Sequence, residues 1–505
     1  MSRTDALLAR LEQASDWLSP LVVKEVRQFV RGREFTSSLG ASLMAGLLVA
    51  FFGAADALTG EGASGGWAFA ALMTCLAING LAVVPLGAFS ALRNERMEQT
   101  LELITLTALS PRRVVIGKLL AQGVKLATIF AAVAPFIAMS FLLGGIDFVT
   151  ILASLLILFM WSLWVCAACL FLSTLLKSRA MSGLVFGGAA IVLFMVFGLG
   201  RAVFFFAGRG MVGGPFPGMG TAAAPFWWTV AILMSACVVT MVNLLLLAEN
   251  RLSLATENRV TALRVGFLVQ FLVIVGWTLS FITQPPRVQS NAVEMLGVLG
   301  GLHLALVAMF TVTEDLVVPR RVMLQVQRRS LFAMFLPGGG RGAAYVLAQM
   351  AILVLAAAAF RPPWDVMRWL LAICGYICYF TAVPTLALRV VKPAAPASLI
   401  LRVGILLLVP ISLLLPDILH YVLWRPDALS LQYGARHLIN PLRTLANWGI
   451  VETRGWVWVP TLLGLTGVLA CLLLIQIGRR MTAPPAVADH AAAAAGEPGS
   501  VHALH

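Results

Sequence analysis

Polar residues inside the long apolar runs of this sequence are where chemistry is first expected, because a polar group buried in hydrocarbon is costly and usually functional. Their spacing does not give the dense pattern of acids and histidines that a proton-driven carrier needs. We expect Lys125 and Asn79 to line a polar pathway. His303 is expected to have a hydrogen-bonded packing role rather than to relay protons. The polar residues in these runs are Asp56, Asn79, Gln122, Lys125, Asn243, Gln270, His303, Gln349 and Gln476.

Two lysines on one predicted helix lie at different depths. Lys118 and Lys125 are seven residues apart, so they share a helix face. Lys118 is close enough to the end of its run to extend its amine to the membrane edge. Lys125 lies about a turn and a half deeper.

Motifs for catalysis and for metal or nucleotide binding are missing from the sequence. No G-x-x-x-x-G-K-[ST] occurs, and the glycines at 338–340 are followed by Arg341, Gly342 and Ala343. No H-x-x-x-H pair or G-x-S-x-G elbow is present. The seven cysteines lie in apolar runs without histidine or carboxylate neighbours, which favours packing roles. We therefore predict no catalytic residue, no metal site and no cofactor in this chain.

The elements that position these residues are predicted to be membrane-spanning helices. Of the 505 residues, 60% are hydrophobic and 11% are charged, and the mean hydropathy is +0.93. A soluble chain carries about 25% charged residues. The sequence predicts an all-α polytopic membrane protein with about twelve spans, because its apolar runs are long enough to cross a bilayer. The predicted spans are 37–57, 66–91, 113–143, 149–176, 181–206, 226–248, 262–283, 291–312, 343–360, 366–391, 398–423 and 456–478.

The distribution of positive charge predicts the orientation. With both termini in the cytoplasm, only nine of the 36 Lys and Arg residues fall outside, which agrees with the positive-inside rule. The net charge of +14 then reflects basic residues beside anionic lipid rather than nucleic-acid binding. The lipid bilayer is the expected partner, and nucleic acid is not.

Four regions follow from this pattern. Residues 1–36 form an N-terminal segment without a cleavable signal peptide. Residues 37–250 and 251–480 form two transmembrane regions, which are interpreted as two six-helix halves. Residues 481–505 form a low-complexity tail that is predicted to be disordered and cytoplasmic.

The N-terminal segment contains a predicted interfacial helix that begins at Ser19-Pro20. Its apolar stripe repeats at helical spacing, and its opposite stripe is basic. Such a helix lies in the membrane interface; a soluble helix packed on a partner is the alternative. The polar stripe consists of Lys24, Arg27, Gln28 and Arg31.

A second edge element is predicted at 92–112, between spans two and three. Asn94 is placed to cap a short helix, and acidic residues follow it, which suits the positive end of a helix dipole. Ser110-Pro111 ends this helix before the third span. A helix held between two spans is suited to receive force from a soluble partner, although an ordered loop is the alternative.

These two edge elements resemble segments of ABC-2 type transporter permeases. PLVVKEVRQFVRGREF at 20–35 is similar to the connecting helix of that family, and ERMEQTLELITLTALSPRRVVIGKLL at 95–120 is similar to its cytoplasmic loop. Gln99 stands where the family has Gly, and Ala108 stands where it has Pro. The resemblance covers about 1–250, whereas the second half shares only the general character.

The resemblance implies the membrane subunit of an ABC exporter, in a bacterial-type inner membrane. A separate ATPase chain would bind ATP and Mg²⁺, and a second permease chain could pair with this one. It implies a coupling helix at 95–109 within an ABC-2-like domain at 37–250. The residues implied for the connecting helix are Lys24, Glu25, Arg27 and Arg31. Those implied for ATPase coupling are Glu95, Arg96, Glu98, Thr100, Leu101, Glu102, Leu103, Ser110 and Pro111.

Two other classes of function stay open from the sequence. One is a membrane-embedded enzyme of lipid-linked substrates, which would need acidic residues on an early external loop. Only Asp56 and Glu61 are available there. The other is a secondary transporter driven by an ion gradient.

Overall fold

The computed structural model describes residues 20–59, 65–97, 111–143, 146–175, 224–252, 258, 260–316, 331–391, 400–408, 410–412, 418 and 434–482. Within these ranges the regular elements are helices, with no strand. Ten of the helical segments are long and apolar enough to cross a membrane. The protein is therefore an all-α, multi-pass membrane protein, as the composition predicts.

Contacts divide the chain into two compact units, Met1–Ser253 and Leu254–His505. The helices of the first unit are α1 (Pro20–Arg31), α2 (Arg33–Thr59), α3 (Gly65–Ile78), α4 (Val84–Met97), α5 (Pro111–Leu142), α6 (Phe148–Leu175) and α7 (Ala224–Leu252). A π-helical turn, Asn79–Val83, joins α3 to α4, so one candidate span runs from Gly65 to Ser90.

The second unit begins with α8 (Thr261–Leu279) and α9 (Pro286–Thr311), followed by a 3-10 turn at Leu331–Phe335. It continues with α10 (Gly339–Ala358), α11 (Trp364–Val391) and a shorter apolar helix, α12 (Ile400–Ser412). After a 3-10 turn at Ala435–His437, the described chain ends in α13 (Pro441–Ala446), α14 (Trp448–Thr453) and α15 (Trp458–Thr482). The division of the chain into two six-helix halves stays a prediction.

Ten predicted spans coincide with candidate spans of the structure to within a few residues. The predicted span at 181–206 lies outside the described residues. The predicted span at 398–423 corresponds in the described part of the chain only to α12, which is shorter than a bilayer requires.

The structure corrects the boundaries of both edge elements. The predicted helix at 20–35 ends at Arg31, because the chain bends at Gly32, and residues 33–35 begin α2. The predicted cap at Asn94 is wrong, because Asn94 lies inside α4 and no helix-breaking residue separates it from the span. Residues 98–110 lie outside the described residues, whereas Pro111 is the first residue of α5.

Close packing of α11 against α15 organises the second unit. A Cβ on Gly375 would lie 2.8 Å from the Cα of Gly464, and a Cβ on Gly467 would lie 2.7 Å from the carbonyl carbon of Cys378. Only hydrogen in place of a side chain lets two helix backbones approach so closely.

The short helices before α15 pack onto α11. Trp448 is buried beside Ala372, Leu438 and Val451. Trp448 therefore packs the short helices against α11.

Candidate functional site

An ion pair joins the N-terminal helix α1 to the membrane helix α5. Nζ of Lys118 lies 2.9 Å from Oε1 of Glu25, and the two side chains are only 1% and 9% exposed. The amine of Lys118 is thus paired with a carboxylate of α1; the expected extension of Lys118 towards the membrane edge stays a prediction. Removing only one partner of a buried ion pair leaves an unpaired buried charge and strongly destabilises the folded protein. The pair therefore links α1 to α5.

The remaining charged side chains of α1 face away from this contact. Lys24, Arg27 and Arg31 are exposed, whereas Val22 is buried together with Glu25. Thus α1 presents one face to α5 and a basic face outwards.

A stripe of buried polar side chains continues along α5 from this ion pair. Lys118, Gln122 and Lys125 are spaced at i, i+4 and i+7, and all three are buried. Oε1 of Gln122 has no hydrogen-bond partner among the described residues. The pathway-lining role of Lys125 stays a prediction, and the structure places its side chain on this stripe.

Asn79 makes hydrogen bonds between two helices of the first unit. Its Nδ2 donates to Ser42 Oγ at 3.0 Å and to the Cys75 carbonyl at 2.9 Å, and its Oδ1 accepts from Ser38 Oγ. Asn79 is also the first residue of the π-helical turn, a feature that often occurs at functional sites. This geometry fixes α2 against the turn; the pathway-lining role of Asn79 stays a prediction.

The residues implied for ATPase coupling divide between described and undescribed parts of the chain. Glu95 and Arg96 belong to the last turn of α4, and Pro111 is the first residue of α5. The others, Glu98, Thr100, Leu101, Glu102, Leu103 and Ser110, lie outside the described residues.

The second unit contains a polar cluster that the sequence did not reveal. Arg264 of α8 has no solvent exposure, and its Nη2 lies 2.7 Å from Oε2 of Glu314, which follows α9. Its Nη1 also donates to the carbonyls of Met334 (2.6 Å) and Leu336 (2.8 Å). One guanidinium thereby holds the end of α9 and the turn before α10 together.

Two further arginines bind the same end of α9. Nη2 of Arg389 donates to Oδ1 of Asp315 at 2.8 Å. Arg402 of α12 donates from Nη2 to the Phe310 carbonyl at 3.1 Å and from Nε to Thr313 Oγ1 at 3.1 Å. Cations are favoured at a helix C-terminus, where unpaired carbonyls carry partial negative charge.

The glycine run at 338–340 serves this cluster and not a phosphate. The amide of Gly338 donates to Oε2 of Glu314 at 2.9 Å, so a carboxylate of the chain occupies the position that an anion would take. A Cβ on Gly339 would lie 2.6 Å from the Glu314 carbonyl oxygen. Gly339 is required because the start of α10 lies against the backbone that follows α9.

The sequence contained a signal for this cluster that local hydropathy does not register. Arg264 and Arg389 fall inside the predicted spans 262–283 and 366–391, close to their ends. The adjacent acids Glu314 and Asp315, directly after the predicted span 291–312, are the sequence feature that points to basic partners. In the structure, two buried arginines pair with these acids.

A chain of hydrogen bonds leads from this cluster into α10. Tyr345 OH donates to the Arg264 carbonyl at 2.5 Å and accepts from Nε2 of Gln349 at 2.8 Å.

His303 of α9 is buried, and its ring stacks on Phe271 at a centroid distance of 5.6 Å. This stacking gives His303 a packed position in the core of the second unit.

Among the described residues, no group of three or more His, Cys, Asp or Glu side chains is arranged to hold a metal ion. The chain matches no protein-family model, no curated protein and no solved structure.

Proposed function

We propose that this chain is the membrane-spanning permease subunit of an ATP-binding-cassette exporter, driven by a separate ATPase chain. We place it in a bacterial-type inner membrane with both termini in the cytoplasm. The ATPase would bind ATP and Mg²⁺ and would act through the segment 95–109. A second permease chain could complete the pore.

The observation that carries the proposal is the Glu25–Lys118 pair. Glu25 belongs to the segment that resembles the family's connecting helix, and Lys118 belongs to the segment that resembles the coupling loop and the start of the next span. The two segments are 93 residues apart at this contact and are joined by a buried pair. A mechanical link between them is what a permease driven from its cytoplasmic edge requires.

The link also provides a route for the motion. Segment 98–110 leads directly into Pro111, the first residue of α5. A displacement of this segment by the ATPase would tilt α5, and the Glu25–Lys118 pair would carry α1 and the adjoining α2 with it. Rigid-body movement of packed helices is a common form of switching.

A charge-reversal experiment tests the proposal. The tagged chain is purified from its native membranes with the ATPase that accompanies it, and ATP hydrolysis is measured in liposomes. We expect E95K/E98K to reduce the hydrolysis that depends on the permease while insertion into the membrane is unchanged. The matched control is D56K/D365K, two reversals at the opposite edge in the proposed topology, which should have little effect.

Three results would count against the proposal. Full ATPase stimulation in E95K/E98K would remove the coupling role of this segment. Transport by the purified chain under an ion gradient without ATP would indicate a secondary carrier. Group transfer to a lipid-linked substrate by the chain alone would indicate a membrane enzyme.

A further inference from the structure

Three cations form a narrow stripe on the exposed side of α1. Lys24, Arg27 and Arg31 are spaced at i, i+3 and i+7, so they share one helix face, and all three are exposed. The amide of Gln28 lies on the same face. Arg33, just beyond the bend at Gly32, adds a fourth exposed cation.

The carboxylate of Glu25 does not offset the positive charge of this face. Glu25 is the only carboxylate within α1, and its charge is buried against Lys118. In residues 24–34 the sequence offers only one other acid, Glu34, against four cations. The outward face of α1 therefore keeps a net positive charge.

The height of this face in the membrane follows from the chain itself. The candidate span in α2 begins at Phe35, four residues after the end of α1. The helix that Glu25 contacts, α5, begins at the same membrane edge, with Arg112 and Arg113 exposed in its first turn. Lipid phosphates lie at the ends of the spans, directly above the hydrocarbon. The stripe is thus at the level of the headgroups.

We propose that the outward face of α1, formed by Lys24, Arg27 and Arg31, binds the phosphate groups of anionic phospholipids. Guanidinium groups bind phosphate oxygens in pairs, and an ammonium group binds them as a point charge. The Glu25–Lys118 pair positions the face, because it holds α1 to α5 and turns the cations outwards. This inference does not depend on the transport proposal, since lipid binding would occur in a protein of any function.

The test compares lipid retention by the full-length protein and its variants. Protein in detergent is equilibrated with equal amounts of dioleoyl phosphatidylglycerol and dioleoyl phosphatidylcholine, and the retained lipids are quantified by mass spectrometry. We expect the unaltered protein to enrich phosphatidylglycerol. K24Q/R27Q/R31Q should lower this enrichment by about tenfold at low salt and by less at high salt.

Two control variants separate the stripe from general charge attraction. K24R/R27K/R31K keeps the charge and should keep most of the enrichment. R251Q/R287Q/R361Q removes three exposed arginines elsewhere and should change the enrichment little. Melting temperature and hydrogen exchange of α1 show whether each variant is folded.

Several outcomes would overturn the proposal. These are no enrichment of phosphatidylglycerol by the unaltered protein, equal losses in K24Q/R27Q/R31Q and R251Q/R287Q/R361Q, or full enrichment in K24Q/R27Q/R31Q. If K24Q/R27Q/R31Q keeps its lipid but loses an associated ATPase, the face binds an acidic protein surface instead. Loss of lipid enrichment with normal ATPase coupling would support the lipid site and leave the transport proposal standing.

Discussion

Arg264 and Glu314 are 50 residues apart in the chain and form an ion pair of 2.7 Å in which the arginine side chain has no solvent exposure. The same arginine donates to carbonyls of the turn before α10, and the same carboxylate accepts from Gly338. Arg264 and Glu314 thus hold the end of α9 against the turn that precedes α10.

Removing the arginine of this pair is predicted to destabilise the second unit. In R264M the carboxylate of Glu314 loses its arginine partner, and the carbonyls of Met334, Leu336 and Gly338 lose their donor. Breaking a buried pair costs about 3–5 kcal/mol. Thermal unfolding in detergent should show a clearly lower melting temperature. R287Q, at an exposed arginine, is the matched control and should melt as the unaltered protein does.

The double variant R264M/E314Q distinguishes a charge effect from a packing effect. Because it leaves no unpaired charge, it should be less destabilised than R264M alone. Equal melting temperatures for R264M and R264M/E314Q would show that the ion pair does not contribute.

The Glu25–Lys118 pair is predicted to hold α1 against α5. In E25K two cations meet at the buried contact, and in K118E two carboxylates meet there, so each variant should release α1. Amide hydrogen exchange of residues 20–31 should become faster in both. The exchanged pair E25K/K118E restores opposite charges and should recover much of the protection.

Exposed cations of the same helix provide the control for this pair. K24E lowers the net charge of the protein by two, as K118E does, but Lys24 is exposed. It should leave hydrogen exchange of α1 nearly unchanged. Protection equally lost in K24E and K118E, which both lower the net charge by two, would indicate that total charge, and not the buried pair, holds α1.

Close packing of α11 and α15 is predicted to tolerate no side chain at Gly467. In G467A the new methyl group would meet the backbone of Cys378 and Tyr379, which cannot move as a side chain can. Overpacking of this kind costs about 1–3 kcal/mol. G276A is the matched control, because Gly276 lies inside α8 with open space around its Cα. Only G467A should lower the melting temperature.

Asn79 is predicted to stabilise the contact between α2 and the π-helical turn. N79L loses hydrogen bonds to Ser38, Ser42 and Cys75, and side-chain hydrogen bonds in membranes contribute about 0.6 kcal/mol each. We expect a loss of about 1–2 kcal/mol on unfolding in detergent. T128V should cost less, because Thr128 is exposed and bonds only within its own helix. A loss in T128V as large as that in N79L would contradict the prediction.

Local length and hydropathy are sufficient to predict the membrane-spanning helices. Whether a run of residues crosses hydrocarbon depends on its own length and hydropathy, so ten predicted spans agree with the structure to within a few residues. Pro111 at the start of α5 is local in the same sense. The sequence also marked the basic stripe of α1, because helical periodicity is visible without a partner.

Which polar groups form contacts depends on how the helices pack. Glu25 and Lys118 are 93 residues apart, and Arg264 meets Glu314, Met334 and Leu336 only when α8, α9 and α10 pack together. Hydropathy assigns each of these charges the same unfavourable value wherever its partner is. The free energy of a buried charge depends on its partner, and contacts between distant helices determine that partner.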